Sequence, residues 1–193
     1  MKIIVAGGTG FIGQHVCQIL IENQHDVIVL SRNPAQAQAH SNQKISFVDW
    51  NALTHEEDQN IEGAEAFINL AGAPIADARW TPAQKQTLIN SRVITTRRLV
   101  EAIARLTVKP KTLINASGIG FYGAADNVSM NESSGQGQGF LAELCQQWEH
   151  EADQATHLGV RVILLRLGMV LGANGGALSK MVTPFKMFAG GPI

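Results

Sequence analysis

Cysteine, tyrosine and clustered charge are what this 193-residue chain has least of: two Cys, one Tyr, and 15 Lys plus Arg against 16 Asp plus Glu. Cys17 and Cys145 are too few for a disulfide framework and fall in segments that read as helices, so both are expected to be reduced, packed side chains. A formal net charge of −1, with no run of Lys or Arg, leaves no electrostatic footprint for nucleic acid or an anionic membrane, and neither partner is expected. No apolar stretch approaches the length of a bilayer span, and Ile3–Ala6 is too short for a signal-peptide core, so a cytoplasmic protein is expected. The six histidines show neither HExxH nor CxxC partner spacing, and His150 and His157 flank a charged helix; no metal site is expected. Gly-Lys-Ser/Thr is absent too, which excludes a P-loop.

What is present is a chain 45% hydrophobic and 16% charged, long enough to bury one substantial core. Its opening, Lys2 to Gly13, reads KIIVAGGTGFIG. Lys2–Ala6 has the pattern of a buried parallel strand, and Phe11, Ile12, Val16, Ile19 and Leu20 recur at helical spacing. Gly7, Gly10 and Gly13 therefore fall at a strand-to-helix turn, where a pyrophosphate can meet backbone N–H groups. Gly7 is expected to permit the turn, Gly10 to let the backbone approach the phosphates, and Gly13 to let the helix pack on the sheet. With Thr9, Phe11 and Ile12 between them, these residues make the pyrophosphate side of an expected dinucleotide site.

Strand-like and helix-like segments then alternate, which predicts an α/β fold: a doubly wound parallel sheet, Rossmann-like, covered by helices on both faces. Strands are expected near Lys2–Ala6, Asp26–Leu30, Ile45–Val48, Ala66–Leu70, Thr112–Ala116 and Val160–Leu167. Helices are expected over Gly10–Asn23, Pro34–His40, Thr81–Leu106 and Gly139–His157. The acidic Glu56, Glu57 and Asp58 read as an exposed helix start or loop. Asp126–Gly139, rich in Gly, Ser, Asn and Gln, reads as a mobile loop at the C-terminal edge of the sheet, where ligands bind in such folds.

The second strand ends in Leu30-Ser31-Arg32-Asn33-Pro34, with no Asp or Glu to accept from an adenosine ribose 2′-hydroxyl. Ser31 can donate to a 2′-phosphate, and Arg32 can grip it with a bidentate, charge-assisted pair while stacking on adenine. NADP(H) is thus expected in preference to NAD(H), the other reading of Arg32 being a solvated loop residue. The same missing acid makes an S-adenosylmethionine site a poor fit. Asp49 and Trp50 end the third strand where adenine would rest; Asp49 can accept from its amino group, and Trp50 either joins it or covers the core edge.

The GGTGFIG loop, the fourth strand ending Asn69-Leu70-Ala71-Gly72, and the fifth ending Asn115-Ala116-Ser117 before Phe121-Tyr122-Gly123 together resemble the extended and atypical short-chain dehydrogenase/reductases. The runs INLAGAPIADARWT (Ile68–Thr81), SGIGFYG (Ser117–Gly123), FLAxLCxxWE (Phe140–Glu149) and LRLGMVLGANGGALSKM (Leu165–Met181) narrow the resemblance. They are similar to the atypical group labelled "epimerase family protein", NAD-dependent epimerase/dehydratase-like, over nearly the whole chain. The resemblance implies a nicotinamide cofactor, a place along it for Leu70, Ala71 and Gly72, and an enzyme whose substrate the label does not define.

Catalytic members of the wider superfamily carry Tyr-x-x-x-Lys at the start of the helix after the fifth strand, where the lysine lowers the tyrosine pKa for proton exchange. Phe140 and Leu144 hold that slot here, and neither exchanges a proton. Ser117 stands where the superfamily polarises a substrate oxygen, and either does so or caps a backbone turn. Tyr122, the single tyrosine, lies in a glycine-flanked loop on the ligand side; it either replaces the lost proton donor or packs its ring beneath the nicotinamide. Asp77–Trp80 should overhang the same edge, with Arg79 a candidate substrate clamp, while Trp80-Thr81-Pro82 and Gln84 read as a helix cap with a capping box. Arg92, Arg97 and Arg98 receive no role.

The sequence closes on Gly190-Gly191-Pro192-Ile193, and members of the resembled group continue further. Residues 1–170 are accordingly expected to form the dinucleotide-binding domain and 171–193 the start of a substrate-side lobe that is truncated. The function expected is that of an NADP(H)-binding oxidoreductase or epimerase acting on a small polar or sugar-like substrate, with oligomerisation left open. The alternative is a non-catalytic NADP(H)-binding redox-sensing module, which the lost Tyr–Lys pair permits.

Overall fold

The computed structural model describes residues 1–39, 45–50, 53, 58–124, 128–172, 175, 176, 178, 182, 186 and 187. Six strands, β1 (Lys2–Ala6), β2 (Asp26–Ser31), β3 (Ser46–Asp49), β4 (Ala66–Asn69), β5 (Thr112–Gly118) and β6 (Arg161–Leu167), form one sheet in the order β3-β2-β1-β4-β5-β6. Every neighbouring pair is parallel. The order runs outward from β1 in one direction and restarts at β4 in the other, so the crevice between β1 and β4 is the topological switch point.

Alternation along the central strands explains why they are apolar throughout. Ile4, Ala6, Ile28 and Leu30 join one buried cluster with Leu99, Val100 and Ile103, while Ile3, Val5, Val27 and Val29 join another with Cys17. Successive side chains thus feed the helix layers on opposite faces, and a strand buried on both sides reads as an unbroken β-branched run. The helices are α1 (Phe11–Glu22), α2 (Pro34–Ala39), the one-turn α3 (Asp58–Ile61), α4 (Pro82–Ile89), α5 (Thr95–Arg105) and α6 (Phe140–Asp153). A two-residue β7 (Leu171–Gly172) folds back beyond β6, bridging Leu171 to Gly176 and Gly172 to Gly175.

The expected elements are all present, with shifted ends. The strand expected at Thr112–Ala116 continues to Gly118 because β6 pairs with it over seven residues, Thr112↔Arg161 through Gly118↔Leu167. The single helix expected over Thr81–Leu106 is α4 and α5 joined by a π-helical turn, Asn90–Ile94. Leu88 and Val93, five residues apart, are buried in one cluster, and a π-turn puts that spacing on one face where an α-helix would not. The cap at its start is as read, the Thr81 hydroxyl accepting from the Gln84 N–H at 3.2 Å with Pro82 opening the first turn, but the capping box is not closed, because the Thr81 N–H donates to the Arg79 carbonyl at 2.8 Å. The long helix expected to reach His157 is α6, continued as a 3₁₀ segment, Gln154–Leu158, and ended by Gly159 at φ +78°.

His40, Glu56, Glu57, Asp126 and Asn127 lie outside the described residues. The remainder of the loop expected to be mobile is anchored at its far end: Gly137 N–H donates to the Phe121 carbonyl at 2.9 Å, and a Cβ on Gly137 would stand 2.0 Å from the Tyr122 carbonyl oxygen. Asn131 Oδ1 accepts from the Ser133 N–H and from the hydroxyls of Ser133 and Ser134, which folds the loop's middle into a turn.

Cys17 is fully buried, and burial pushes its thiol up to about 11. Thiolate, the reactive form, is therefore scarce at neutral pH. Native protein treated with iodoacetamide at pH 7.5 should leave Cys17 unmodified, as peptide mass mapping would show; urea-unfolded protein should react within minutes.

Candidate functional site

Strand termini at the C-terminal edge of the sheet build the site. After β1, Gly7 turns the chain at φ +79°, the left-handed region that favours glycine, and its carbonyl accepts from the Gly10 N–H at 3.0 Å. A Cβ on Gly13 would lie 2.1 Å from the Gly7 carbonyl oxygen, so α1 rests directly on the turn. No side chain caps the first turn of α1 and no acidic residue occupies it, which leaves its N–H groups and the positive end of the helix dipole for an anion. A Cβ on Gly7 would meet the Leu70 carbonyl group at 2.7 Å, so the β1 turn and the segment after β4 touch through backbone. The Thr9 carbonyl accepts from Gln14 Nε2, and Ile12 is half-buried. The Phe11 ring stacks edge-on against His15 and is overlaid by Gly172, Gly175 and Gly176.

Beside this turn, Ser31 pairs in register with Asp49 at the ends of β2 and β3. The Ser31 hydroxyl accepts from the Asn33 N–H at 3.2 Å, which leaves its own proton to donate, and Arg32 is exposed next to it. Asn33 Oδ1 takes the Gln36 N–H and so starts α2. Trp50, only 7% exposed, belongs to the core cluster of Ile28 and Leu30, the placement of a residue that covers the core edge.

A buried polar network supports the loop after β4. Asn69 and Asn115 face one another on β4 and β5, and Asn69 Nδ2 donates to Asn115 Oδ1 at 2.6 Å and to Thr96 Oγ1 at 2.8 Å. Thr96 also accepts from the Trp148 indole N–H at 2.9 Å. Asn69 Oδ1 holds the Ala71 N–H at 3.2 Å, tying the Leu70–Gly72 segment to the core.

At the ends of β5 and β6 four residues distant in sequence converge. Ser117, 5% exposed, donates to Glu149 Oε1 at 2.5 Å. Glu149 takes two further bonds from Arg166, at 2.9 and 2.8 Å, and Arg166 Nη1 donates to the Tyr122 hydroxyl at 3.0 Å. The guanidinium also lies 3.5 Å over the Phe121 ring. Hydrogen bonding to Glu149 raises the Arg166 pKa further, so this group is a permanent cation.

The slot of the lost Tyr–Lys pair is apolar. Leu144 is buried, and Phe140 packs edge-on against Trp80 with ring centres 5.6 Å apart and carries the Lys85 ammonium 5.0 Å from its ring centre. Trp80 is fixed by its indole N–H to the Ile75 carbonyl. An open cleft of about 320 Å³ lies beside Phe140, walled by Gly120, Gly123, Gln138 and Leu141 among others. Arg79 is exposed on the segment between β4 and α4. The structure thus brings Ser117 and Tyr122 into one network and holds Leu70 and Ala71 beside Gly7, while Arg79 stands apart on the surface.

Glu149, Arg166, Arg92 and the Asn69–Asn115–Thr96 group are the residues that sequence reasoning missed. Signals for some existed: Glu149 falls on the apolar side of α6 with Cys145, Trp148 and Ala152, and Asn69 and Asn115 are polar residues inside otherwise apolar strands. Among the described residues there is no group of three or more His, Cys, Asp or Glu able to hold a metal ion, and no helix long and apolar enough to cross a membrane.

A sequence profile of the NAD dependent epimerase/dehydratase family matches residues 3–187. The chain is 37% identical over 199 residues to "Epimerase family protein SDR39U1 homolog, chloroplastic" of Arabidopsis thaliana, covering 100% of this chain and 56% of that protein. It is 36% identical over 194 residues to "Epimerase family protein YfhF" of Bacillus subtilis, covering 100% of this chain and 62% of that one. Among solved structures, human epimerase family protein SDR39U1 (isoform 2) with NADPH superposes with a TM-score of 0.80 at 30% identity, over 100% of this chain and 62% of that one. A nucleoside-diphosphate sugar epimerase from Corynebacterium glutamicum superposes with a TM-score of 0.78 at 29% identity, over 96% of this chain and 38% of that one. The chain spans about three fifths of the length of these curated relatives.

Proposed function

Because this chain belongs to the NAD dependent epimerase/dehydratase family, we propose that it binds NADP(H) across the β1/β4 crevice and serves hydride transfer to and from a small polar or sugar-like substrate. The observation that carries the reading is the uncapped first turn of α1 above a glycine turn, with Ser31 and Arg32, and neither Asp nor Glu, closing β2 beside it. Gly7 and Gly13 carry no Cβ because protein backbone lies where it would stand, and this close packing of α1 on the turn gathers the uncapped N–H groups for an anion. Gly7, Thr9, Gly10, Phe11, Ile12 and Gly13 would hold the pyrophosphate, Ser31 and Arg32 the 2′-phosphate, Asp49 the adenine, and Leu70, Ala71 and Gly72 the nicotinamide half. Human SDR39U1 with NADPH, at 30% identity, supports the cofactor. When bound, the dinucleotide supplies the hydride chemistry at nicotinamide C4.

This chain's own contribution is to hold a proton and to orient the group that carries it. Tyr122 is the proton-exchanging group: its oxygen accepts from Arg166, so its own proton is directed elsewhere and is available to a substrate oxygen. Ser117 gives its proton to Glu149 and therefore acts as a positioning residue that fixes Glu149, and through it Arg166, rather than as a donor to substrate. Arg79, exposed between β4 and α4, offers a cation to a negatively charged substrate group only if that group reaches the surface there. The substrate class is carried by the likeness to the sugar epimerase of Corynebacterium glutamicum.

Phe140 and Leu144, packed where the superfamily keeps its Tyr–Lys pair, favour a second reading, a module that binds both redox forms unequally without turning them over. NADPH deuterated at C4, incubated with a panel of sugar-like carbonyl compounds, separates the two. Deuterium appearing in any product, with the rate falling about 10²-fold or more in Tyr122→Phe at unchanged NADPH affinity, supports the enzyme. Binding without transfer to any member of the panel supports the sensor.

A further inference from the structure

The π-helical turn between α4 and α5 has a consequence for the cofactor site. Thr95 N–H reaches back five residues to the Asn90 carbonyl, and the extra residue this accommodates puts Ser91 and Arg92 against the loop after β4. There both polar groups of a single peptide residue are taken. The Ala73 N–H donates to Ser91 Oγ at 3.0 Å, and the Ala73 carbonyl accepts from Arg92 Nη2 at 2.9 Å. Ser91 is fixed in turn by donating to the Leu88 carbonyl at 3.0 Å, and Arg92 Nη1 approaches Ser91 Oγ at 3.3 Å. The guanidinium lies 5.2 Å over the Trp148 ring, and a Cβ on Gly72 would meet it at 3.0 Å.

We infer that Ser91 and Arg92 are positioning residues for the nicotinamide half of the dinucleotide, acting through the backbone of Leu70–Ala73. The inference rests on the NADP(H) reading above and adds residues to it. Contact runs without a gap from the π-turn to Ala73 and Gly72, and from Leu70 to the backbone of Gly7. In a doubly wound sheet the strands on the β4 side of the switch point carry the nicotinamide half, while β1 to β3 carry the adenosine half. Arginine suits the place because one planar cation serves a carbonyl, a hydroxyl and an aromatic face together, which neither a lysine nor an apolar chain can do. Burial lowers its pKa, as expected of a cation held by dipoles and a ring.

Two probes divide the site. NADPH engages both halves; 2′,5′-ADP engages only the adenosine half with its 2′-phosphate. Arg92→Met, which retains the apolar stem on Trp148, should weaken NADPH about tenfold or more, the worth of one charge-assisted bond, and leave 2′,5′-ADP within twofold of wild type. Ser91→Ala, which removes only a hydroxyl and should fold normally, should move NADPH in the same direction by about threefold to tenfold, again without touching 2′,5′-ADP. Parallel loss of both ligands, or no loss of either, in variants that melt like wild type overturns the positioning role. If Arg92→Met fails to fold, Ser91→Ala alone decides. Wild-type protein that binds neither probe overturns the cofactor reading itself, and the inference with it.

Discussion

Replacing Gly13 by alanine should abolish measurable dinucleotide binding and destabilise the chain by about 3 kcal/mol, the upper range for overpacking. The added Cβ would stand 2.1 Å from the Gly7 carbonyl oxygen and 2.7 Å from Gly8 Cα, and both of these are backbone. Neither can rotate aside as a side-chain tip could. Either α1 lifts from β1, which opens the packing of Cys17 on Val5 and Val29, or the turn shifts and misdirects the N–H groups proposed to take the pyrophosphate. In a domain of this size such a loss corresponds to roughly 6–12 °C in Tm. Gly135→Ala is the matched control: nothing lies within 4 Å of its added Cβ, its φ is outside the left-handed region, and its effect should stay within about 0.5 kcal/mol. Thermal melts and NADPH titration of the two variants check both halves of the expectation.

Glu149→Ala should cost about 3–5 kcal/mol, because it strands a partly buried guanidinium and takes away the acceptor of the buried Ser117 hydroxyl. The damage comes from the orphaned partner and not from the worth of the pair itself. The double variant Glu149→Met/Arg166→Met, which removes both charges and refills the space, should therefore be more stable than Glu149→Ala. Urea unfolding of wild type, the single and the double variant gives the ordering. A double variant no better than the single would mean that the hydrogen bonds to Ser117 and Tyr122 carry the stability.

The parts of the molecule legible in the sequence are those whose signal is local. Ile3-Ile4-Val5 and Val27-Ile28-Val29 announce buried parallel strands because each face of the sheet is covered, and Thr81-Pro82 announces a helix start through a bond spanning three residues. The π-turn was hidden because Leu88 and Val93 break α periodicity by one residue, which in sequence is indistinguishable from an ordinary irregularity. The Ser117–Glu149–Arg166–Tyr122 network was hidden for a different reason. Its members lie up to 49 positions apart and meet only because β5 and β6 pair with Ser117 opposite Arg166, with α6 laid across them. Sequence reasoning located Ser117 and Tyr122 as separate candidates with no signal for the ion pair that joins them. Trp50 had two readings at its strand end, a ligand contact or a cover for the core edge, and its burial in the core cluster fits the second.

Calorimetric titration of wild type and Arg32→Ala with NADPH and with NADH tests the proposed cofactor recognition at the β1/β4 crevice most directly. Wild type should bind NADPH at least about tenfold more tightly than NADH, and the preference should collapse in Arg32→Ala with NADH affinity unchanged. Equal affinity of wild type for the two, or no heat of binding with either, would contradict it.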